Sequence, residues 1–60
     1  MKVRLNWTSK GKAYHTKVCE KYNLERGIGV NWVKVYDLTD EQYNQLETAE
    51  KSGILERTKL

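Results

Sequence analysis

Cys19 has no second cysteine to pair with and His15 is the chain's single histidine, so 60 residues must hold together without a disulfide or a four-ligand zinc site. That constraint dominates what the chain can fold into. A folded monomer of 7.1 kDa exposes about 4,100 Å² out of about 10,300 Å² in the extended chain. If about 0.6 of the difference is apolar, burial contributes roughly 90 kcal/mol at about 25 cal/mol/Å². Ordering costs about 1.5 kcal/mol per residue, again roughly 90 kcal/mol, and the two cancel. Good packing or self-association must supply the margin. There is material for one core only, and residues 1–60 are read as a single domain.

No apolar run approaches the roughly 18 residues of a membrane-spanning helix, and Met1-Lys2-Val3-Arg4 leads into alternation instead of a signal-peptide core. A lone cysteine fits a reducing compartment, so the expectation is a soluble, unprocessed, cytoplasmic chain. With no proline and only four glycines, the composition is not that of a linker or disordered tail.

The net charge of +3 conceals a division along the chain. Residues 1–21 carry Lys2, Arg4, Lys10, Lys12, Lys17 and Lys21 against Glu20 alone; residues 22–60 carry five cations against seven carboxylates. A basic excess in one short segment points to a partner surface, or to lysines guarding the edge of a solvated strand pair.

Val3, Leu5 and Trp7 alternate with Lys2, Arg4 and Asn6, the period of a strand with one buried face. Thr8 to Lys12 supplies turn chemistry around Gly11, and the return stretch reads as the second strand of a hairpin. Residues 12–22 also admit a helix, since Tyr14, Val18 and Tyr22 recur every four residues with Cys19 alongside. Tyr14, Thr16 and Val18 favour the strand. Asn23 to Gly29 reads as a connection with Gly27 and Gly29 as turn residues, and Val30 to Tyr36 as a third strand rich in β-branched and aromatic residues. That strand is apolar on both sides: Val33 and Val35 face one way, Trp32, Lys34 and Tyr36 the other.

Thr39 and Gln42 form the signature of a capping box, Leu38 and Tyr43 that of a hydrophobic staple, and Asp40 and Glu41 suit the positive end of a helix dipole. Tyr43, Leu46 and Ala49 give a narrow apolar stripe, and Gly53 with Ile54 closes the helix near Ser52. Ile54 to Leu60 offers a terminal strand. The expected fold is therefore a small two-layer α+β domain of order β-β-β-α-β, an N-terminal hairpin plus a β-α-β unit, with one helix on one face of a mainly antiparallel sheet.

No catalytic constellation emerges, so the expectation is a non-enzymatic chain with no cofactor, metal or small-molecule substrate. Asp40 and Glu41 are explained by capping, and Glu47 and Glu50 lack a histidine to complete a metal site. His15 and Cys19 would meet on a helix but stand about 13 Å apart on a strand. Gly27-Ile28-Gly29 opens no helix and is too short to cradle phosphate.

If Val3, Leu5, Trp7, Tyr14, Val18, Val33 and Val35 pack beneath the helix, the opposite sheet face carries Arg4, His15, Lys17, Lys21, Trp32, Lys34 and Tyr36 as its candidate binding residues, beside Lys2 and Asn6. Trp, Tyr and Arg are the usual anchors of protein interfaces, whereas aromatics among cations also suit single-stranded DNA or RNA. A protein-interaction module that regulates or inhibits by occupying a macromolecular surface, self-associating as a dimer, is the first reading. A nucleic-acid-binding protein is the second, and no membrane partner is expected. The bland alternative turns Trp32 inward through a bulge near Trp32-Val33.

Overall fold

The computed structural model describes residues 1–28 and 30–60, with only the backbone of Val30. Three strands form one sheet: β1 (Lys2–Trp7) lies in the centre, β2 (Val33–Asp37) on one side and β3 (Leu55–Lys59) on the other, both antiparallel to β1. Helix α1 (Ser9–Tyr22) joins β1 to β2, and two short helices, α2 (Asp40–Gln45) and α3 (Glu47–Lys51), join β2 to β3. The domain is thus the expected small α+β fold with a helical layer on one sheet face. Its order is β-α-β-α-α-β, so the expected N-terminal hairpin is replaced by a strand and a helix.

The reason lies at the two ends of α1. Thr8 is its N-cap, with Oγ1 accepting from the Gly11 N–H at 3.1 Å. Asn23 closes it in the left-handed region at φ 58°, and the Leu24 N–H returns to the Cys19 carbonyl at 2.8 Å while its side chain is buried. Gly11 is a contact glycine and not a turn glycine: a Cβ there would lie 1.8 Å from the Ile54 carbonyl oxygen. The Thr8 N–H donates to that same oxygen at 3.0 Å, locking the start of α1 onto the segment before β3. The helix buries Gly11, His15, Val18 and Cys19 against the sheet. Tyr14, expected in the core, is 42% exposed.

On β1 the expected alternation holds, with Val3, Leu5 and Trp7 buried. Register then decides every other strand face. Tyr36 pairs with Val3 and Lys34 with Leu5, so both stand on the helical side; Val35 pairs with Arg4 and Val33 with Asn6, so both stand on the open side. The faces of β2 are therefore the reverse of the expected ones. The strand also starts later than Val30, because Val30–Trp32 forms a 3-10 turn with Asn31 at φ 61° and Trp32 at φ 59°. The expected role of Gly29 as a turn residue lies outside the described residues.

The capping box at Thr39 is present in both directions: the Gln42 N–H donates to Thr39 Oγ1 at 3.1 Å and the Thr39 N–H to Gln42 Oε1 at 2.9 Å. The single expected helix is divided at Leu46, though the Leu46 and Glu50 N–H groups still bond four residues back. Leu46 and Ala49 bury its stripe, and Gly53, at φ 78°, ends α3 with the Ile54 N–H on the Ala49 carbonyl. The core comprises Val3, Leu5, Trp7, Val18, Cys19, Leu24, Tyr36, Leu38, Leu46, Ala49 and Leu55. The folded chain exposes 4033 Å², close to the size expected of a monomer of this mass.

Candidate interaction surfaces

Pairing in the sheet arranges the open face as three rows across three strands. Asp37, Lys2 and Leu60 form one row, Val35, Arg4 and Thr58 the middle one, and Val33, Asn6 and Glu56 the third. Arg4 is at the centre. Among the described residues no carboxylate lies within 4 Å of Arg4, whereas Asp37 takes the Met1 amino group at 3.3 Å. Val35 beside it is 49% exposed. Lys2 and Arg4 are balanced by Asp37 and Glu56, so the face is neutral overall and polarised from its centre outward.

The expected cluster of seven binding residues is distributed over the molecule. Arg4 alone stands on the open face. Lys17 and Lys21 lie on the exposed side of α1, across the sheet from Arg4. Lys34 stands on the helical side, with Nζ 3.3 Å from Glu25 Oε2 and 5.4 Å from the centre of the Tyr36 ring. Tyr36 is buried, and its hydroxyl donates to the Glu25 carbonyl at 3.1 Å. Burial above all pushes its pKa up to about 12. Trp32 turns inward, as the bland alternative had it, but through the left-handed turn before β2 and not through a bulge within it. Its ring meets that of His15 edge-on at 5.9 Å, with Lys12 Nζ 5.5 Å from its centre.

His15 and Cys19 do meet, because α1 is a helix: Nε2 and Sγ are 3.4 Å apart. Both are buried, and His15 packs edge-on against Trp7 at 4.6 Å. Burial, and then Lys34, hold His15 below its usual pKa, while burial pushes the Cys19 thiol up. The pair rests as neutral imidazole and thiol, the opposite of an activated thiolate. It works as a polar joint in the core, within reach of the Glu25 carbonyl, which lies 3.7 Å from Sγ. Among the described residues no three His, Cys, Asp or Glu side chains gather as a metal site.

On the other edge Arg57 mirrors Lys34, since both flank Leu5 on the helical side. Its Nε bonds Glu50 Oε1 at 3.2 Å, its Nη1 donates to the Tyr43 carbonyl at 2.6 Å, and the guanidinium carbon sits 4.3 Å from the centre of the Tyr43 ring. Bonds from the Arg57 N–H groups hold the Glu50 carboxyl below its usual pKa. Two apolar stems with satisfied cationic heads thus seal the two margins of the core.

A cleft of about 300 Å³ opens between the α1–β2 connection, β2 and the start of α2, lined by residues including Glu25, Tyr36, Asp37 and Gln42. Its charged groups and Gln42 are committed: Glu25 to Lys34, Asp37 to the Met1 amine, and Gln42 to the capping box and to the Tyr22 carbonyl.

Sequence reasoning missed a row on α1. Lys10, Tyr14, Lys17 and Lys21 follow a 4-3-4 spacing, which is one side of a helix and carries no such meaning on a strand. Val33 and Val35 were missed for the inverse reason, because apolar residues on an antiparallel strand are first assigned to the core. No helix is long and apolar enough to cross a membrane among the described residues. Comparison of the chain with protein-family models, curated proteins and solved structures gave no match.

Proposed function

We propose that this chain is a small non-enzymatic protein-interaction module, acting as a regulator or inhibitor by occupying a partner's surface with the open face of its sheet. The observation that carries the reading is Arg4 at the centre of that face, with no carboxylate within 4 Å among the described residues and beside the half-exposed Val35. Arginine is among the commonest interface anchors, and an apolar neighbour strengthens its pairing by excluding water. The matching partner offers a carboxylate to Arg4 and apolar contact to Val33 and Val35.

That arrangement favours a different protein over a second copy. Any two-fold axis through the centre of the face brings Arg4 onto its own counterpart, and like charges so placed oppose association. The buried, neutral His15–Cys19 pair supports a non-enzymatic role.

The test is affinity capture from the cells that make the protein, with the native chain, Arg4→Ala, Val35→Asp and Lys17→Ala as baits. A stoichiometric protein lost with Arg4→Ala and Val35→Asp but kept with Lys17→Ala supports the reading. A partner held equally by all four baits refutes it.

A further inference from the structure

The helical layer carries a second feature that the open sheet face does not explain. Lys10, Tyr14, Lys17 and Lys21 are all exposed on α1. At about 100° per residue they fall within an arc of about 60°, and at about 1.5 Å per residue they span about 16 Å along the axis. Among the described residues none of the four α1 lysines has a carboxylate within 4 Å, and the one acid of the helix, Glu20, lies 3.6 Å from Arg26. The helix therefore holds four lysines against one glutamate.

We propose that this ridge docks the sugar-phosphate backbone of duplex nucleic acid without reading its sequence. Three features select that occupant over an acidic protein. Lysine is depleted at the centres of protein interfaces but serves well as a point charge for phosphate. Tyr14 is the ridge's single aromatic among three lysines, too little apolar surface for the core of a protein interface, and its hydroxyl suits a phosphate oxygen. A duplex presents one charge per about 1.7 Å of axis, dense enough over a row about 16 Å long to meet Lys17 and Lys21 and to draw Lys10 from the Ser52 carbonyl, to which its Nζ donates at 2.9 Å.

The neighbouring elements set the limit of contact. Helix α1 runs antiparallel to α2 and α3: Gln42 Nε2 donates to the Tyr22 carbonyl at one end and the Thr8 N–H to the Ile54 carbonyl at the other. Asp40, Glu41, Glu47 and Glu50 stand on that adjacent pair against Lys51 alone. A polyanion spreading over the whole layer meets repulsion, so engagement is confined to the α1 ridge. Trp32 and Tyr36 are packed into the fold and leave Tyr14 as the one aromatic on the ridge, so no row of rings is present to stack successive unpaired bases, which favours a duplex backbone over a single strand. The ridge and the open sheet face lie on opposite sides of the molecule, so one chain can engage both partners at once.

The experiment is fluorescence anisotropy with a labelled 20-base-pair duplex of mixed sequence, titrated from 50 to 200 mM KCl. With three lysines engaged, affinity falls about 40-fold over that range, and Lys17→Ala/Lys21→Ala lowers the logarithmic salt slope by about 1.8. Alanine suits an exposed helix position, and circular dichroism of the variant confirms that α1 is intact. The double variant Lys2→Ala/Arg4→Ala, altered only on the sheet face, keeps most of the affinity, and a shuffled duplex binds equally well. No binding at 50 mM KCl overturns the proposal, as does an equal loss in the sheet-face variant. Tighter binding of poly-L-glutamate than of duplex overturns it in favour of an acidic protein.

Discussion

Gly11→Ala is the most discriminating perturbation of this fold. At an exposed helical position glycine to alanine stabilises by about 1 kcal/mol. At Gly11 the new methyl would stand 1.8 Å from the Ile54 carbonyl oxygen, 2.9 Å from its carbon and 3.2 Å from Ile54 Cγ2. The oxygen is backbone and cannot rotate away, so α1 and the segment before β3 must separate by more than 1 Å to restore ordinary contact, about 3.2 Å being the usual closest approach of carbon to oxygen. Separation strains packing by about 1–3 kcal/mol. It also weakens the bond from the Thr8 N–H to the Ile54 oxygen, 3.0 Å long and worth about 1 kcal/mol, and disturbs the Thr8 hydroxyl, whose one proton is shared between the Gly53 and Ile54 carbonyls. After the gain in helix propensity the net loss is about 1–3 kcal/mol. A chain of 60 residues commands about 3–9 kcal/mol in all. Urea denaturation followed by far-ultraviolet circular dichroism measures the change, with the exposed Lys17→Ala as the control for helix propensity alone. Gly11→Ala as stable as the parent chain refutes the contact, and with it the docking of α1 on Ile54.

Three further predictions follow from titrating and capping groups. His15 is held below its ordinary pKa, so the unfolded chain takes up its proton first. Stability is full above about pH 6.5 and declines as pH falls through that value toward the folded pKa. The urea midpoint of the native chain drops between pH 7.5 and 5.5, and His15→Gln flattens that difference. Tyr36, raised to about 12, ionises late, with stability lost as pH rises from about 10 through 12. Absorbance at 295 nm shows that late step, and Tyr36→Phe removes it. Thr39→Ala deletes half of the capping box and costs about 1 kcal/mol by chemical denaturation, an effect that vanishes if the box is not formed in solution.

The two uncertain regions of the fold failed to read from sequence for one shared reason. Residues 12–22 carry a helical repeat together with β-favouring Thr16 and Val18, and β2 is apolar on both sides. Each offers two acceptable burial patterns to local inspection. For α1 the choice is settled by Ile54, more than forty positions away, whose backbone accepts a close approach only by glycine. For β2 it is settled by the pairing of Val3 with Tyr36, since a one-residue slip exchanges the faces and exposes the tyrosine. The candidate surfaces inherit both outcomes. Arg4 stands on the face that the clean alternation of β1 predicts, Lys17 and Lys21 were expected beside it but lie on α1 with Lys10 and Tyr14, and His15 and Tyr36 went from expected surface to core.

From sequence alone came the α+β class, the faces of β1, the start of α2 at Thr39 and the stop at Gly53. Each of these rests on a run of adjacent residues or on hydrogen bonds within about one helical turn. Tertiary structure decided the state of residues 9–22, the buried side of β2 and therefore which charges share a surface. Those depend on contacts between segments tens of residues apart, where two locally equivalent patterns differ only in what lies opposite. The lone Cys19 shows the division. Its inability to form an internal disulfide is written in the composition, but its place as half of a neutral polar joint with His15 exists only because α1 is a helix pressed against the sheet.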